Sequence, residues 1–203
     1  MIYPFVKGLD QYPEITPVIK EKEHKINFGG LWHSDTAYEQ TPPLGTMLYA
    51  RELPPYGGDT EFSNMYLAYE TLSNGMRALL DNLIAVNISG KGRVQDTRAP
   101  MRGTAATSAR EDSFIAEHPV VRTHPETGRK SLYVNLAHTS HFKGMTVEES
   151  APILNYLFEH QVKPEFTCRV KWELGTLTFW DNRCTQHNPL NDYHGFRLSL
   201  IHI

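Results

Sequence analysis

The chain has 203 residues, of which 40% are hydrophobic and 21% charged, and its formal net charge is −3 at pH 7. This length suits one globular domain with a sizeable core, and the weak acidic charge gives no electrostatic reason to expect binding to nucleic acid or to an anionic membrane. The apolar runs, such as residues 83–86, are too short to cross a bilayer, and the first residues lack the pattern of a secretory signal. We therefore expect a cytoplasmic protein that binds a small molecule, with no nucleic acid and no membrane as partner.

The first part of the chain contains two strand patterns and two helix patterns. Strands are predicted over residues 44–52 and 60–62, and the prolines and glycines between them predict a tight turn over residues 53–59. A short helix is predicted over residues 65–72. A second is predicted over residues 75–83, where Met76, Leu79, Leu80 and Leu83 recur at helical spacing.

Residues 89–112 lack apolar periodicity. Long segments of this kind in compact domains are often lids, so we predict a lid loop over residues 89–112. Its cationic side chains could bind a carboxylate, sulfonate or phosphonate, although such charges are more often only solvated. They are Lys91, Arg93, Arg98, Arg102 and Arg110.

The second part of the chain predicts a hairpin, one helix and three closing strands. Residues 120–124 and 131–135 form strand patterns on either side of the turn 125–128. Thr146 and Glu149 have the spacing of a capping box that opens a helix running to about Gln161. Strands are predicted over residues 167–172, 176–180 and 197–203.

Strands dominate this order, and the helices are expected to pack outside them. The sequence shows no repeat, low-complexity tract or linker, so residues 1–203 are predicted to form a single domain. The fold class that fits is mainly β with flanking helices, namely a double-stranded β-helix or jelly-roll barrel like that of the cupins.

A possible metal site is indicated by His33 and Asp35 near the start and His187 near the end. Residues i and i+2 of an extended segment point to the same side, so His33 and Asp35 could reach one metal while Ser34 points away. Two imidazoles and one carboxylate on one face of a metal are typical of non-haem Fe(II) oxygenases. The plain alternative is a hydrogen-bonded surface pair and an ordinary loop histidine.

Several motifs in the same order resemble the TauD/TfdA family of Fe(II)- and 2-oxoglutarate-dependent dioxygenases. The resemblance covers residues from about Asn27 to Arg197, most of the chain. The motifs are Trp32-His33-Ser34-Asp35-Thr36-Ala37-Tyr38, Pro42-Pro43, Gly57-Gly58-Asp59-Thr60, the hairpin from His118 to Asn135, and Phe179-Trp180-Asp181-Asn182-Arg183 with Thr185-Gln186-His187.

This resemblance implies a ligand set and a cosubstrate site. His33, Asp35 and His187 match the iron ligands, while Thr60 and Arg197 match the residues that hold 2-oxoglutarate. The implied reaction uses O2, converts 2-oxoglutarate to succinate and CO2, and hydroxylates a substrate C–H bond. The carboxylate ligand Asp35 favours hydroxylation over halogenation.

Substrate contacts are predicted at Thr36, Tyr38, Asn27 and Tyr133, although Tyr38 and Tyr133 could equally be half-buried aromatic residues of strands. The family commonly has a further arginine after the clamp for an anionic substrate group, and the final segment, residues 198–203, has none. Family members are usually longer, so part of an N-terminal segment and of a C-terminal tail is expected to be missing. A homodimer or homotetramer is the oligomeric state that the resemblance suggests.

Three functions remain open from the sequence. The first is a 2-oxoglutarate-dependent hydroxylase of a small anionic molecule, and the second is a truncated, non-catalytic barrel of the same fold that binds metal without turnover. The third is a zinc hydrolase or a cupin with the same three ligands. Arg183, four residues before His187, is a rival to Arg197 as the 2-oxoglutarate clamp, and the neighbouring residues 180–182 are expected to support the turn before His187.

Overall fold

The computed structural model describes residues 2–92, 94–98 and 114–203 of the chain. Most of its regular structure is antiparallel β-sheet, and three of its α-helices pack at one side. These three are α1 (Met65–Glu70), α2 (Asn74–Leu80) and α3 (Val147–His160). The strands are β1 (Ile15–Lys20), β2 (Gly45–Glu52), β3 (Thr60–Asn64), β4 (Ile84–Ile88), β5 (Ile115–Pro119), β6 (Val121–Thr123), β7 (Lys130–Leu132), β8 (Thr139–Phe142), β9 (Thr167–Val170), β10 (Leu177–Asp181), β11 (Thr185–Pro189) and β12 (Arg197–His202).

Two sheets build the part of the fold that carries the candidate site. The larger has four strands in the order β1-β12-β2-β10, and the smaller has three in the order β11-β3-β9. Strands of both sheets line one cavity, to which the first contributes Leu48 and Arg197 and the second Thr60 and His187. The cavity therefore lies between the sheets, as in a sandwich whose inner faces meet.

A hydrophobic core beside these sheets packs the helices against the remaining strands. Its buried members include Met65 and Leu80 from α1 and α2, Phe142 from β8, and Leu157 from α3. A second buried cluster joins the N-terminal segment to β12 through Tyr3, Phe5, Tyr38 and Ile201, among others. Burial of these side chains is the main favourable contribution to the stability of the fold.

Each helix begins at a residue whose side chain accepts hydrogen bonds from the first turn. Asn64 caps α1 and Ser73 caps α2. At α3, Thr146 accepts from the Glu149 amide while the Glu149 side chain accepts from the Thr146 amide. The predicted capping box is therefore confirmed, and so is the helix that follows it.

The predicted hairpin is also confirmed, with β6 and β7 paired antiparallel from Val121↔Leu132 to Thr123↔Lys130. Five strands were not predicted. β1, β5 and β11 each contain a proline, which weakens a strand pattern, and β4 follows directly on a helix pattern. The fifth is β8.

The predicted lid loop lies largely outside the described residues. Within it the structure describes Lys91 and Arg98, and residues 94–98 are helical. Lys91 donates to the carbonyl oxygens of Leu136 and Thr139, each at 2.8 Å, and is therefore anchored to the fold rather than merely solvated. Among the described residues, no helix combines the length and the hydrophobicity needed to cross a membrane.

The last strand in the order of the larger sheet, β10, presents apolar side chains to solvent. Leu177 and Phe179 are each 61% exposed, and they pair with Tyr49 and Met47 of β2 on the outer face. Trp180, the next residue along the strand, points inward and borders the cavity. The alternation is that of a strand with one face in the core and one in solvent.

Candidate metal centre and adjoining cavities

His33 and His187 are joined by a reciprocal pair of backbone hydrogen bonds. The His33 amide donates to the His187 carbonyl at 3.1 Å, and the His187 amide donates to the His33 carbonyl at 2.9 Å. The two residues thus form a single antiparallel bridge between the N-terminal segment and β11. Their ring centres are 4.1 Å apart, although 153 residues separate them along the chain.

Asp35 completes the group two residues after His33. Its Oδ1 lies 3.5 Å from His33 Nε2 and 3.9 Å from His187 Nε2. The sequence predicted that an extended segment brings His33 and Asp35 together. His33 lies in a β-bridge, and the chain turns directly after it, at residues 35–38, where Thr36 has φ 43°.

Hydrogen bonds fix the orientation of the Asp35 carboxylate. Thr46 on β2 donates its hydroxyl proton to Asp35 Oδ2 at 2.6 Å. The Asn182 amide in turn donates to Thr46 Oγ1 at 2.7 Å, and the Trp180 indole donates to Asn182 Oδ1 at 3.1 Å. Because Oδ2 is held in this way, Oδ1 is the oxygen that faces the histidines. Trp180 and Asn182 thus support Asp35 through Thr46, whereas the sequence predicted that they support the turn before His187.

The histidine nitrogens nearest to Asp35 are suited to donate a lone pair. His33 Nδ1 is 2.6 Å from the Leu31 carbonyl, a contact that requires the proton on Nδ1, so that in the neutral ring Nε2 carries the lone pair. The Nδ1 atom of His187 is buried and has no hydrogen-bond partner in the described part of the chain.

Burial and mutual interaction set the charges of the group. Burial lowers the pKa of His187 to about 3, so its ring is neutral near neutral pH. Burial alone would raise the pKa of Asp35, but the attraction of His187 and the contact with His33 outweigh it and hold the pKa well below its usual range. A carboxylate and neutral imidazoles are the forms that bind a metal.

The geometry of this group fits one divalent ion. One ligand atom from each residue lies within 4.8 Å of the others, and adjacent ligands held about 2 Å from a metal lie about 3 Å from one another. Only small side-chain movements are needed to reach that spacing. Since all three ligands come from one side, the opposite positions of the metal would remain open for other molecules.

The first of two cavities beside the group extends toward Arg197. It comprises about 650 Å³ of non-protein space including its open mouth, and it is bordered by His33, Asp35, His187, Thr60 and Arg197. The Trp172 indole donates to Thr60 Oγ1 at 3.0 Å, which leaves the hydroxyl proton of Thr60 for an acceptor in the cavity. Arg197 Nη1 donates to the Gly58 carbonyl, and the Arg197 side chain is buried.

The second of two consecutive glycines makes room for Arg197. Gly57 and Gly58 have φ values of 71° and 76°, in the left-handed region that favours glycine. A Cβ on Gly58 would lie 3.1 Å from Arg197 Nη1 and 3.2 Å from the Tyr193 ring. The backbone conformation and the close approach of the guanidinium both explain the glycine at this position.

The second cavity lies on the other side of the ligand group. It is bordered by His33 and Asp35 and comprises about 420 Å³ including its mouth. Its polar lining includes Arg98, whose Nη1 donates to the Ser89 carbonyl at 2.8 Å and whose guanidinium carbon lies 4.5 Å from the centre of the Phe5 ring. Besides His33, Asp35 and Arg98, the polar side chains on its wall are Tyr3, Thr36, Tyr38, Thr97 and His138.

The predicted substrate residues differ in position. Thr36 and Tyr38 border the second cavity, and Asn27 borders the first and donates to the Leu190 carbonyl at 2.7 Å. Tyr133 borders neither; it is buried, and the Arg122 guanidinium lies 4.3 Å from its ring centre. Arg183 is bound to Asp181 and Glu126 away from both cavities.

Sequence reasoning missed two residues that border these cavities, Lys20 and His138. Lys20 lies on a strand that was not predicted, and its position opposite Arg197 depends on the pairing of β1 with β12. His138 is buried, with its ring centre 4.9 Å from that of Tyr38. No local signal marks either residue, because each is placed by contacts distant in sequence.

The described residues include a second cluster of side chains of the kinds that bind metals, formed by His124, Asp181 and Cys184. Asp181 Oδ2 is 3.0 Å from His124 Nε2, and both oxygens of Asp181 accept from Arg183. With its carboxylate occupied by a guanidinium, this group has the character of an ion-pair network that braces the turn before β11.

Comparison with known proteins identifies a family. The family model described as "Taurine catabolism dioxygenase TauD, TfdA family" matches residues 2–201. The 2,4-dichlorophenoxyacetate dioxygenase of Cupriavidus pinatubonensis, described as alpha-ketoglutarate-dependent, is 37% identical over 158 residues, which are 77% of this chain and 53% of that protein.

Solved structures give the same result. A taurine dioxygenase from Burkholderia xenovorans superposes with a TM-score of 0.76 and 36% identity, covering 95% of this chain and 64% of that one. The protein AAD-2, solved with Mn(II) and N-oxalylglycine, has a TM-score of 0.70 and 32% identity, covering 85% of this chain and 62% of that one. These likenesses confirm the predicted jelly-roll fold class. The chain spans about half the length of the curated relatives that it matches.

We predict that Thr46→Val weakens metal binding about 10–100-fold, because the substitution removes the hydrogen bond that orients Asp35. Mn(II) affinity measured by calorimetry tests this. Thr16→Val is the matched control, since Thr16 is equally buried in the same sheet but does not contact Asp35. Equal affinities in the two variants would show that Thr46 does not orient the ligand.

We predict that Gly58→Ala destabilises the protein more than Gly128→Ala. Both glycines are left-handed, with φ 76° and 69°, so each variant should lose about 1–2 kcal/mol from backbone strain. Only at Gly58 does the new Cβ also meet Arg197; at Gly128 it meets nothing within 4 Å. Urea unfolding measures the difference, and equal losses would mean that Arg197 moves aside without cost.

Proposed function

This chain belongs to the TauD, TfdA family of dioxygenases, and we propose on that basis that it is an Fe(II)- and 2-oxoglutarate-dependent hydroxylase. The substrate that we propose is a small, anionic organic molecule, with succinate and CO2 as co-products. The observation that carries the proposal is the position of His33, Asp35 and His187, which border the first cavity together and supply two residues to the wall of the second.

Membership of the family implies Fe(II), 2-oxoglutarate and O2. His33 Nε2, Asp35 Oδ1 and His187 Nε2 would hold the iron, and the fit of their charges and spacing supports this. The bound iron would supply the oxidation chemistry that couples decarboxylation of 2-oxoglutarate to hydroxylation of the substrate. The contribution of the protein is to bind and orient the reactants and to exclude side reactions.

The first cavity is proposed to hold 2-oxoglutarate. The ligand group forms part of its wall, and the 2-oxo and C1 carboxylate oxygens would be directed there. Arg197 is suited to the distal carboxylate because a planar guanidinium donates to two oxygens at once. Thr60 is suited to add a bond, since its hydroxyl proton is free to face the cavity while Trp172 donates to its oxygen.

The second cavity is proposed to hold the primary substrate. Arg98 gives it a buried cation, and 3% of this side chain is exposed. The aromatic rings of Phe5 and Tyr38 flank the guanidinium and favour an organic body next to the charged group. Thr36 Oγ1 and His138 Nδ1 are buried without a hydrogen-bond partner in the described part of the chain, and they are available to polar atoms of a substrate.

Anaerobic titration with Fe(II) and 2-oxoglutarate tests the proposal. We expect a weak visible charge-transfer band from the chelated cosubstrate, lost in His187→Ala, and oxoglutarate-dependent succinate formation after O2 is admitted. Glu148→Ala, at an exposed position of α3, serves as control. Iron binding without the band would favour a non-catalytic barrel of the same fold, and zinc-dependent activity indifferent to 2-oxoglutarate would favour a hydrolase.

We predict that Arg98→Gln abolishes the preference for anionic substrates but leaves the Fe(II)–2-oxoglutarate band intact. The expected loss is about 10–100-fold in kcat/KM, which corresponds to one charge-assisted hydrogen bond. Succinate formation would be measured over small sulfonates and carboxylates, each paired with a neutral amide or alcohol. Arg51→Gln, at an exposed position of β2, is the control, and an unchanged preference would place the anion elsewhere.

A further inference from the structure

Two buried cations stand side by side in the first cavity. Lys20 is directly opposite Arg197 in the pairing of β1 with β12, so the two side chains project from the same face of the sheet. They are 6% and 7% exposed, and both border the cavity that contains the ligand group. Like charges directly opposite each other on neighbouring strands destabilise a sheet, and burial makes the repulsion stronger.

The acceptors that these cations contact are neutral. Lys20 Nζ donates to Asn191 Oδ1 at 2.6 Å and to the Tyr193 carbonyl at 3.4 Å, and it lies 4.0 Å from the centre of the Tyr193 ring. Arg197 donates to the Gly58 carbonyl. None of these contacts cancels the positive charge, so the cavity wall carries two adjacent charges that amide and carbonyl dipoles only partly offset.

The acids whose charges act on these two cations, Asp192 on Lys20 and Asp59 on Arg197, are themselves engaged by another residue. Asp59 and Asp192 both lie in ion pairs with Arg169, at 2.7 Å and 3.1 Å. Burial, followed by the charge of Arg197, lowers the pKa of Lys20, which is the result expected when a lysine lacks a carboxylate partner. A carboxylate of a ligand in the cavity would relieve both the desolvation and the repulsion.

We propose that Lys20 is a second cation of the 2-oxo acid site, acting with Arg197 to select a dicarboxylate over a monocarboxylate. The inference rests on the proposed function, which assigns this cavity to the cosubstrate. The planar guanidinium of Arg197 can donate two parallel hydrogen bonds, and the Lys20 ammonium is a compact charge on a flexible side chain. Together they can contact both oxygens of one distal carboxylate. Binding of that carboxylate would also stabilise the β1–β12 pairing.

The test compares Lys20→Met with Lys20→Arg and with the control Lys143→Met. Lys143 forms an exposed ion pair with Glu117, so its loss leaves the cavity unchanged. We expect Lys20→Met to weaken 2-oxoglutarate binding about 10–100-fold in the anaerobic Fe(II) titration and to leave 2-oxobutyrate binding unaltered. Lys20→Arg should restore most of the difference. Without ligand, the Tm of Lys20→Met should equal or exceed that of the unsubstituted protein, because the repulsion is gone.

Two outcomes would overturn the proposal. One is an unchanged ratio of 2-oxoglutarate to 2-oxobutyrate affinities in Lys20→Met. The other is a lower Tm of Lys20→Met without ligand, together with an equal loss of affinity for 2-oxoglutarate and 2-oxobutyrate. Lys20 would then have only the structural role of positioning Asn191 and Tyr193.

A separate arm distinguishes failure of this proposal from failure of the proposed function. Glutarate, a dicarboxylate without the 2-oxo group, is added to metal-free protein, and the rise in Tm is measured. One outcome is that the unsubstituted protein gives no charge-transfer band but glutarate raises its Tm more than that of Lys20→Met. This outcome would support the dicarboxylate site formed by Lys20 and Arg197 and reject the proposed iron-dependent reaction. A band in both proteins with equal glutarate shifts would reject the role of Lys20 and keep the proposed function.

Discussion

The reciprocal backbone hydrogen bonds between His33 and His187 are the constraint on which the rest of the site depends. They fix a segment with little regular structure of its own against β11. Backbone hydrogen bonds place the two Cα atoms without relying on side-chain packing, so both imidazoles start from defined positions. The carboxylate of Asp35 is then supplied by the turn that follows and is held by Thr46 from the opposite sheet. The ligand group therefore requires both sheets to be in place.

The distribution of charge around this group follows from its position between two cavities. Asp35 is a buried anion that borders both cavities, and the buried cations on their walls are Lys20 and Arg197 in one and Arg98 in the other. None of these three cations is in ion-pair contact with Asp35, so the carboxylate remains available to a metal. Two anionic molecules could approach the ligand group from different sides, each with its own counter-charge. Metal binding by Asp35 and selection of anionic molecules by the cations thus depend on different residues.

The sequence predicted those features that have local causes. The capping box of α3 and the turn of the β6–β7 hairpin depend on residues close together in the chain, and both were predicted correctly. The proximity of His33, Asp35 and His187 was expected from their residue types and flanking motifs. Strand β11 was missed because Gln186, His187 and Asn188 give no apolar alternation. Lys20 was missed because its importance arises only from the pairing of β1 with β12, which no local pattern reveals.

The exposed strand β10 has a consequence for the behaviour of the protein in solution. Among the described residues it ends the order of the four-stranded sheet, with Leu177 and Phe179 open to water. A strand edge with unpaired backbone groups and apolar side chains is a template for pairing with another chain. An edge of this composition is the part of the described surface at which contact between copies of the chain is expected. Opposite faces of the same strand thus meet solvent and the binding site, since Trp180 faces the cavity while its neighbour Phe179 faces solvent.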